Sequence, residues 1–130
     1  MSLNDTLSNT MSKILNLEEV GKKDCEIKPV SKIIKKVLDI LNEEGYIGKY
    51  EEIEDGKGNY IKLNLLGNIN KCGAIKPRFA VSLEGYEKFE KRYLPAKGFG
   101  VLIVSTPQGM MTHHKAKEKK VGGRLIAYCY

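Results

Sequence analysis

Five residues, Asp55-Gly56-Lys57-Gly58-Asn59, carry the densest turn chemistry in the chain. Glycine takes the positive φ that tight turns need, and Asp and Asn bond locally to the backbone. The next stretch alternates, with Ile61, Leu63 and Leu65 apolar and Lys62 and Asn64 polar. The preceding stretch, 46–54, holds Tyr46, Ile47, Tyr50 and Ile53. Two such runs on either side of such a turn predict an antiparallel hairpin.

The segments before the hairpin suit helices that would cover one face of it. Leu3, Leu7, Met11, Ile14 and Leu15 recur at helical spacing, with Ser2 or Asn4 as the cap and Asp5 in the first turn. Val20 to Lys28 contains a strand-like patch, with Cys25 and Ile27 on one face and Asp24, Glu26 and Lys28 on the other, and Pro29 ends it. Ser31 then caps a second helix with the stripe Ile33, Ile34, Val37, Leu38 and Leu41, closed by Gly45. The order α-β-α-β-β is enough for helices packed on a sheet.

Gly67 to Gly73 reads as a connector. Beyond it, Ile75 to Val81 is basic and contains Pro77. Tyr86 to Tyr93 is expected to be a short helix, ended by Pro95. Val101-Leu102-Ile103-Val104 is a strand apolar on both faces. Ser105 to Gly109 is a turn, and Met110 and Met111 lead to Thr112, the cap of a basic helix ending near Lys120. Gly122-Gly123 breaks that helix, and Arg124 to Tyr130 closes as a strand. The expected class is α+β, with two small α/β subdomains: residues 1–66, α-β-α-β-β, and residues 67–130, mainly β with short helices.

A chain of 130 residues buries enough surface for a core without staples. No apolar run approaches a membrane span, and neither a secretory leader nor a membrane partner is expected. Cys25, Cys72 and Cys129 are scattered and odd in number, which argues against a disulfide framework and a zinc site. Charge is uneven. Residues 1–65 hold 10 basic and 12 acidic groups, a net of −2, whereas 66–130 hold 12 and 4, a net of +8. A basic half on a near-neutral half suggests a surface for a polyanion.

Catalytic patterns are missing. There is no Walker loop, and Gly56-Lys57-Gly58 lacks the rest of a dinucleotide fingerprint. Ser105 follows a buried strand, but Ile103 stands where a nucleophile elbow requires glycine, and no Asp follows Asp55. His113 and His114 are adjacent, so they do not share a helix face for chelation, and both read as exposed helix residues. No enzyme activity, metal or cofactor is expected.

The remaining chemistry suits RNA. Ser105-Thr106-x-x-Gly109 places two hydroxyls and a glycine after a rigid strand, and Gln108 adds an amide. Thr112 opens a helix whose free N–H groups suit phosphate. Gly122-Gly123-Arg124 reads as a second, flexible loop with a forked cation. Lys71, Lys76 and Arg78 add charge near the connector.

On these residues the chain resembles the eighth protein of the small ribosomal subunit, in its archaeal/eukaryotic form. The resemblance also rests on Leu3-Asn4-Asp5-Thr6-Leu7, Val20-Gly21-Lys22-Lys23, Gly45-Tyr46-Ile47-Gly48, Ile75-Lys76-Pro77-Arg78-Phe79 and Tyr93-Leu94-Pro95-Ala96. Ser105 through His113 and Val121 through Tyr128 carry it to the C-terminus. It implies a structural and assembly protein that binds the central domain of small-subunit rRNA directly, with other ribosomal proteins as neighbours. It also implies a cytoplasmic, ribosomal location and a monomer outside the ribosome. By resemblance, Ser105, Thr106 and Gly109 match the family's RNA loop and Gly122 and Gly123 its second loop. Asn4, Asp5 and the region of Lys32 match places that touch a neighbouring part of the RNA. Pro107 and Gln108 replace a second hydroxyl-bearing pair of bacterial members, and Arg124 replaces their Glu. Thr6 stands where many members have Pro. The alternative from another class is a protein–protein adaptor that docks through the strand bearing Tyr128 and Tyr130.

Overall fold

The computed structural model describes residues 6–28, 31–54, 56, 58–96 and 98–130. The chain divides into two compact units, Met1–Asn70 and Lys71–Tyr130. The class is α+β, as the patterning predicts.

Unit one runs α1 (Thr6–Glu19), β1 (Asp24–Ile27), α2 (Lys32–Glu43), β2 (Ile47–Glu54) and β3 (Asn59–Leu65). Its three strands pair antiparallel in the order β1-β3-β2. The core follows the two periods in the sequence. From α1 come Leu7, Met11 and Ile14, and from α2 Ile34, Val37, Leu38, Ile40 and Leu41. Cys25 and Ile27 on β1 meet Ile61, Leu63 and Leu65 on β3, all buried, while Lys62 and Asn64 face water. On that outer face Lys62 stands in register between Glu26 and Glu51, so opposite charges oppose across both strand pairs.

Local signals set the boundaries. The Ser31 hydroxyl accepts from the Ile34 N–H at 3.2 Å, the expected cap of α2. At the far end Gly45, at φ +81°, donates to the Asn42 carbonyl at 3.1 Å, and Tyr46 donates to Leu41 at 2.9 Å. This pattern closes a helix through one left-handed residue. The Glu18 carboxylate accepts from both Gly67 and Ile69 N–H at 3.0 Å and ties the end of the unit back to α1. The strand-like patch within Val20 to Lys28 is β1, with Cys25 and Ile27 buried as expected, and before it Gly21 and Lys22 bond back to α1. The first-turn reading at Ser2, Leu3, Asn4 and Asp5 lies outside the described residues.

Unit two runs β4 (Cys72–Ala74), β5 (Ala80–Val81), a 3-10 turn (Leu83–Gly85), α3 (Tyr86–Tyr93), β6 (Val101–Thr106), β7 (Gly109–Thr112), α4 (His113–Glu118) and β8 (Gly123–Cys129). The sheet order is β4-β8-β6-β7, and β5 also pairs with β8. Between β4 and β5 the ladder is carried by Ile75 N–H to Ile126 O and Leu125 N–H to Phe79 O, both 2.9 Å. Leu102, Val104, Met111 and Leu125 from the strands pack with Tyr86, Phe89 and Leu94 around α3 and with Ala116 of α4. Tyr128 and Tyr130 pack on this core, half-buried and with rings 6.4 Å apart, so they are not a free docking strip.

Three expectations change here. The connector read over Gly67 to Gly73 gives up Cys72 and Gly73 to β4. Met110 and Met111 belong to a strand, β7, because Pro107-Gln108 turns the chain straight back along β6. The helix α4 stops at Glu118 and β8 starts at Gly123, with a left-handed residue at Lys120 between them.

Nothing lies within 4 Å of a Cβ built on Gly45, so Gly45→Ala isolates the backbone cost of the left-handed position. The expected loss is about 1 kcal/mol, read as a lower urea midpoint at unchanged m-value.

Candidate nucleic-acid interface

The β6–β7 hairpin ends in a turn closed by its own side chain. The Thr106 hydroxyl accepts from the Gln108 N–H at 3.1 Å and donates to the Gly109 carbonyl at 2.7 Å. Gly109 sits at φ +114°. Thr106 is buried and its hydroxyl is spent on shape. Ser105 alternates to the other side and is exposed. Among the described residues its hydroxyl and the Gln108 amide have no partner, so both are available to a ligand.

Ser105 pairs with Met110 on β7 and with Arg124 on β8. That second pairing brings the two loops of the sequence together. It depends on two glycines. A Cβ on Gly123 would lie 2.2 Å from the Ser105 carbonyl oxygen, and one on Gly122 would lie 2.5 Å from the Val81 carbonyl oxygen. Neither distance is possible for a real side chain, so any substitution forces β8 off its neighbours. The glycines therefore work as spacers in a packed sheet, which corrects the reading of 122–124 as a flexible loop. Arg124 is exposed, and its Nη1 donates to the Arg78 carbonyl at 3.5 Å. Ala80 also pairs with Arg124, so the basic 76–78 segment ends at the same corner.

The structure thus gathers Ser105, Thr106, Gln108, Gly109, Gly122, Gly123, Arg124 and Arg78 at one end of the sheet. Lys76 is exposed two residues before Arg78. Other candidates lie apart. Thr112 pairs with Ile103, is 4% exposed and accepts from the Lys115 N–H at 3.3 Å, so its hydroxyl is committed to capping α4. Lys71 bonds through its backbone to Tyr130, about 20 Å along β8 from Arg124 at the usual strand rise. Lys32 is the exposed first residue of α2 in unit one. Asn4 and Asp5 lie outside the described residues.

His113 departs most from expectation. It is 1% exposed, whereas His114 is exposed. The backbone leaves β7 at Thr112, and the next residue's ring continues the ladder: Nδ1 accepts from the Leu102 N–H at 3.0 Å. Nε2 lies 3.0 Å from Glu90 Oε1, and Lys117 also bonds that carboxylate. One imidazole thus joins β6, α3 and α4. Burial first, then the charges of His114 and Lys117, outweigh Glu90 and push its pKa down to about 4. The ring is therefore neutral at pH 7, with Nε2–H donating and Nδ1 accepting. The missing signal was β7: without that strand, nothing aims residue 113 at β6. Among the described residues no group of three His, Cys, Asp or Glu is arranged for a metal.

A basic unit offering exposed hydroxyl, amide and guanidinium groups from the ends of rigid strands defines a protein suited to a nucleic-acid backbone. The family model described as Ribosomal protein S8 matches residues 5–130, and the chain belongs to that family. It is accordingly a small-subunit ribosomal protein that binds rRNA, in a family of structural proteins and not of enzymes. No helix among the described residues is long and apolar enough to cross a membrane.

The folded pKa of His113 lies below its unfolded value of about 6.5, so the unfolded chain takes up the proton first. The His113 contribution to stability is complete above pH 7 and is lost as pH drops from about 6.5 towards 4, by on the order of 3 kcal/mol. His113→Gln is expected to be less stable at pH 7 and to lose most of that slope, read by urea denaturation at each pH.

Proposed function

We propose that unit two binds the central domain of small-subunit rRNA directly, and that this contact helps the domain assemble. The observation that carries the reading is the Ser105–Arg124 pairing, which sets the hydroxyl turn and the glycine pair side by side on a unit of net charge +8. The exposed cations neutralise phosphates, giving an affinity that falls with salt. The Ser105 hydroxyl, the Gln108 amide and the bare glycine backbones meet sugar hydroxyls and base edges where the RNA helix is irregular, since a regular A-form helix hides its base edges. Thr106 acts by holding the turn.

Lys71, Lys76 and Arg78 belong to this reading as phosphate contacts, and Asn4, Asp5 and Lys32 as a second contact surface on unit one. Thr112 serves it through the start of α4. Neighbouring ribosomal proteins are the further partners, in the cytoplasm, with a monomeric chain before assembly. The test is a titration of the purified chain with a central-domain rRNA fragment against an unrelated RNA helix of equal length, at several salt concentrations. Preference for the fragment with a steep salt slope supports the reading, and equal affinity for both RNAs overturns it. Ser105→Ala is expected to weaken fragment binding by roughly 1–3 kcal/mol without moving the urea midpoint, because its hydroxyl has no partner among the described residues. An unchanged affinity removes Ser105 from the interface.

A further inference from the structure

Three helices of the chain end in one hydrogen-bond pattern. After α1, Gly21 donates to Glu18 at 3.1 Å and Lys22 to Leu17 at 3.0 Å. After α2, Gly45 donates to Asn42 and Tyr46 to Leu41. After α4, Lys120 donates to Lys117 at 3.1 Å and Val121 to Ala116 at 3.0 Å. The residue at the turn has φ +78° in the first, +81° in the second and +57° in the third. Glycine fills the first two positions and lysine the third. Lys120 is the only non-glycine residue with positive φ among the described residues.

A side chain in this conformation costs stability that glycine would not. Among the described residues the Lys120 side chain meets nothing that would offset this cost. It is exposed, and its ammonium makes no hydrogen bond or ion pair with any described residue. The favourable field at the C-terminal end of α4 is already met by Lys115 and Lys117 in its last turn and by Lys119 at its cap.

The position of Lys120 is fixed from the next residue onward. The Tyr86 hydroxyl donates to the Val121 carbonyl at 3.0 Å, Gly122 lies against the Val81 carbonyl, and Gly123 lies against that of Ser105. The root of Lys120 is thus held one residue from a pinned segment that leads directly to Ser105 and Arg124. We propose that Lys120 is a phosphate anchor of the RNA interface, kept as lysine at an otherwise glycine-favouring position so that its ammonium stands beside the Gly122–Gly123 corner. This rests on unit two being the RNA-binding unit. A point charge with three donors is suited to a single phosphate.

The experiment compares the parent chain with Lys120→Gly, Lys120→Asn and Lys120→Arg, measuring urea midpoints and titrations with the central-domain rRNA fragment from 0.1 to 0.5 M salt. Lys120→Gly is expected to unfold at higher urea than the parent. Its log affinity should fall less steeply with log salt, by about 0.9, which corresponds to about eightfold weaker binding at 0.1 M relative to a 1 M reference. Lys120→Asn, which tolerates the left-handed backbone without a charge, should lose the same affinity, and Lys120→Arg should keep the parent slope. If Lys120→Gly or Lys120→Asn binds with the parent's slope and affinity, or Lys120→Arg loses as much as glycine, the anchor is overturned while the RNA reading stands. If the parent itself shows no salt-dependent preference for the fragment, both are overturned.

Discussion

The distance between the backbones of β8 and β6 at Gly123 is the constraint on which unit two depends. With no side chain at 122 or 123, β8 lies flush between β6 on one side and the β4–β5 edge on the other. Its apolar residues then reach the core beside Leu102, Val104 and the aromatic residues of α3. A single methyl at Gly123 would demand that this sheet open at its centre. Core order and the arrangement of the exposed corner therefore share one cause, and a side chain added at Gly122 or Gly123 cannot disturb one without the other.

The same economy governs the other end of the hairpin. β7 is only four residues long and forms the edge of the sheet, a weak position for a strand. Two side chains hold it. Thr106 closes its turn, and His113 takes over the next ladder bond where the backbone departs into α4. Glu90 then couples that ring to α3. A buried polar network of this kind holds its elements in one arrangement because each unmet bond would be costly.

Periodicity was legible wherever an element was long enough to repeat. The stripe of α2, the alternation of β3, the apolar run Val101–Val104 of β6 and the limits of α3 at Tyr86 and Tyr93 follow from spacing and from residues such as Ser31 and Gly45. β7 was not legible, because Gly-Met-Met-Thr has neither the length nor the branched residues of a strand signal. The burial of His113 depended on that strand and was missed with it. The candidate corner was legible as residue types, Ser105, Gln108 and Arg124, because polar groups next to glycine stand out after an apolar strand. Their meeting was not, because it is created by the register of β6 on β8, and register is a property of two strands together. The glycine pair carried a second misreading: two glycines look alike in sequence whether they permit motion or permit contact.

A turn closed by its own threonine has little conformational freedom left to surrender when a partner arrives. In the proposed interface the hydroxyl of Ser105 and the backbone of Gly123 are held in place by the sheet before any partner arrives, so docking need not wait for a loop to organise. In such a design the encounter rate is governed by long-range charge, and local changes at the corner act on how long a complex lasts rather than on how quickly it forms. In the proposed interface, residence time is then encoded in a few strand-end atoms, separately from the lysines that bring the two molecules together.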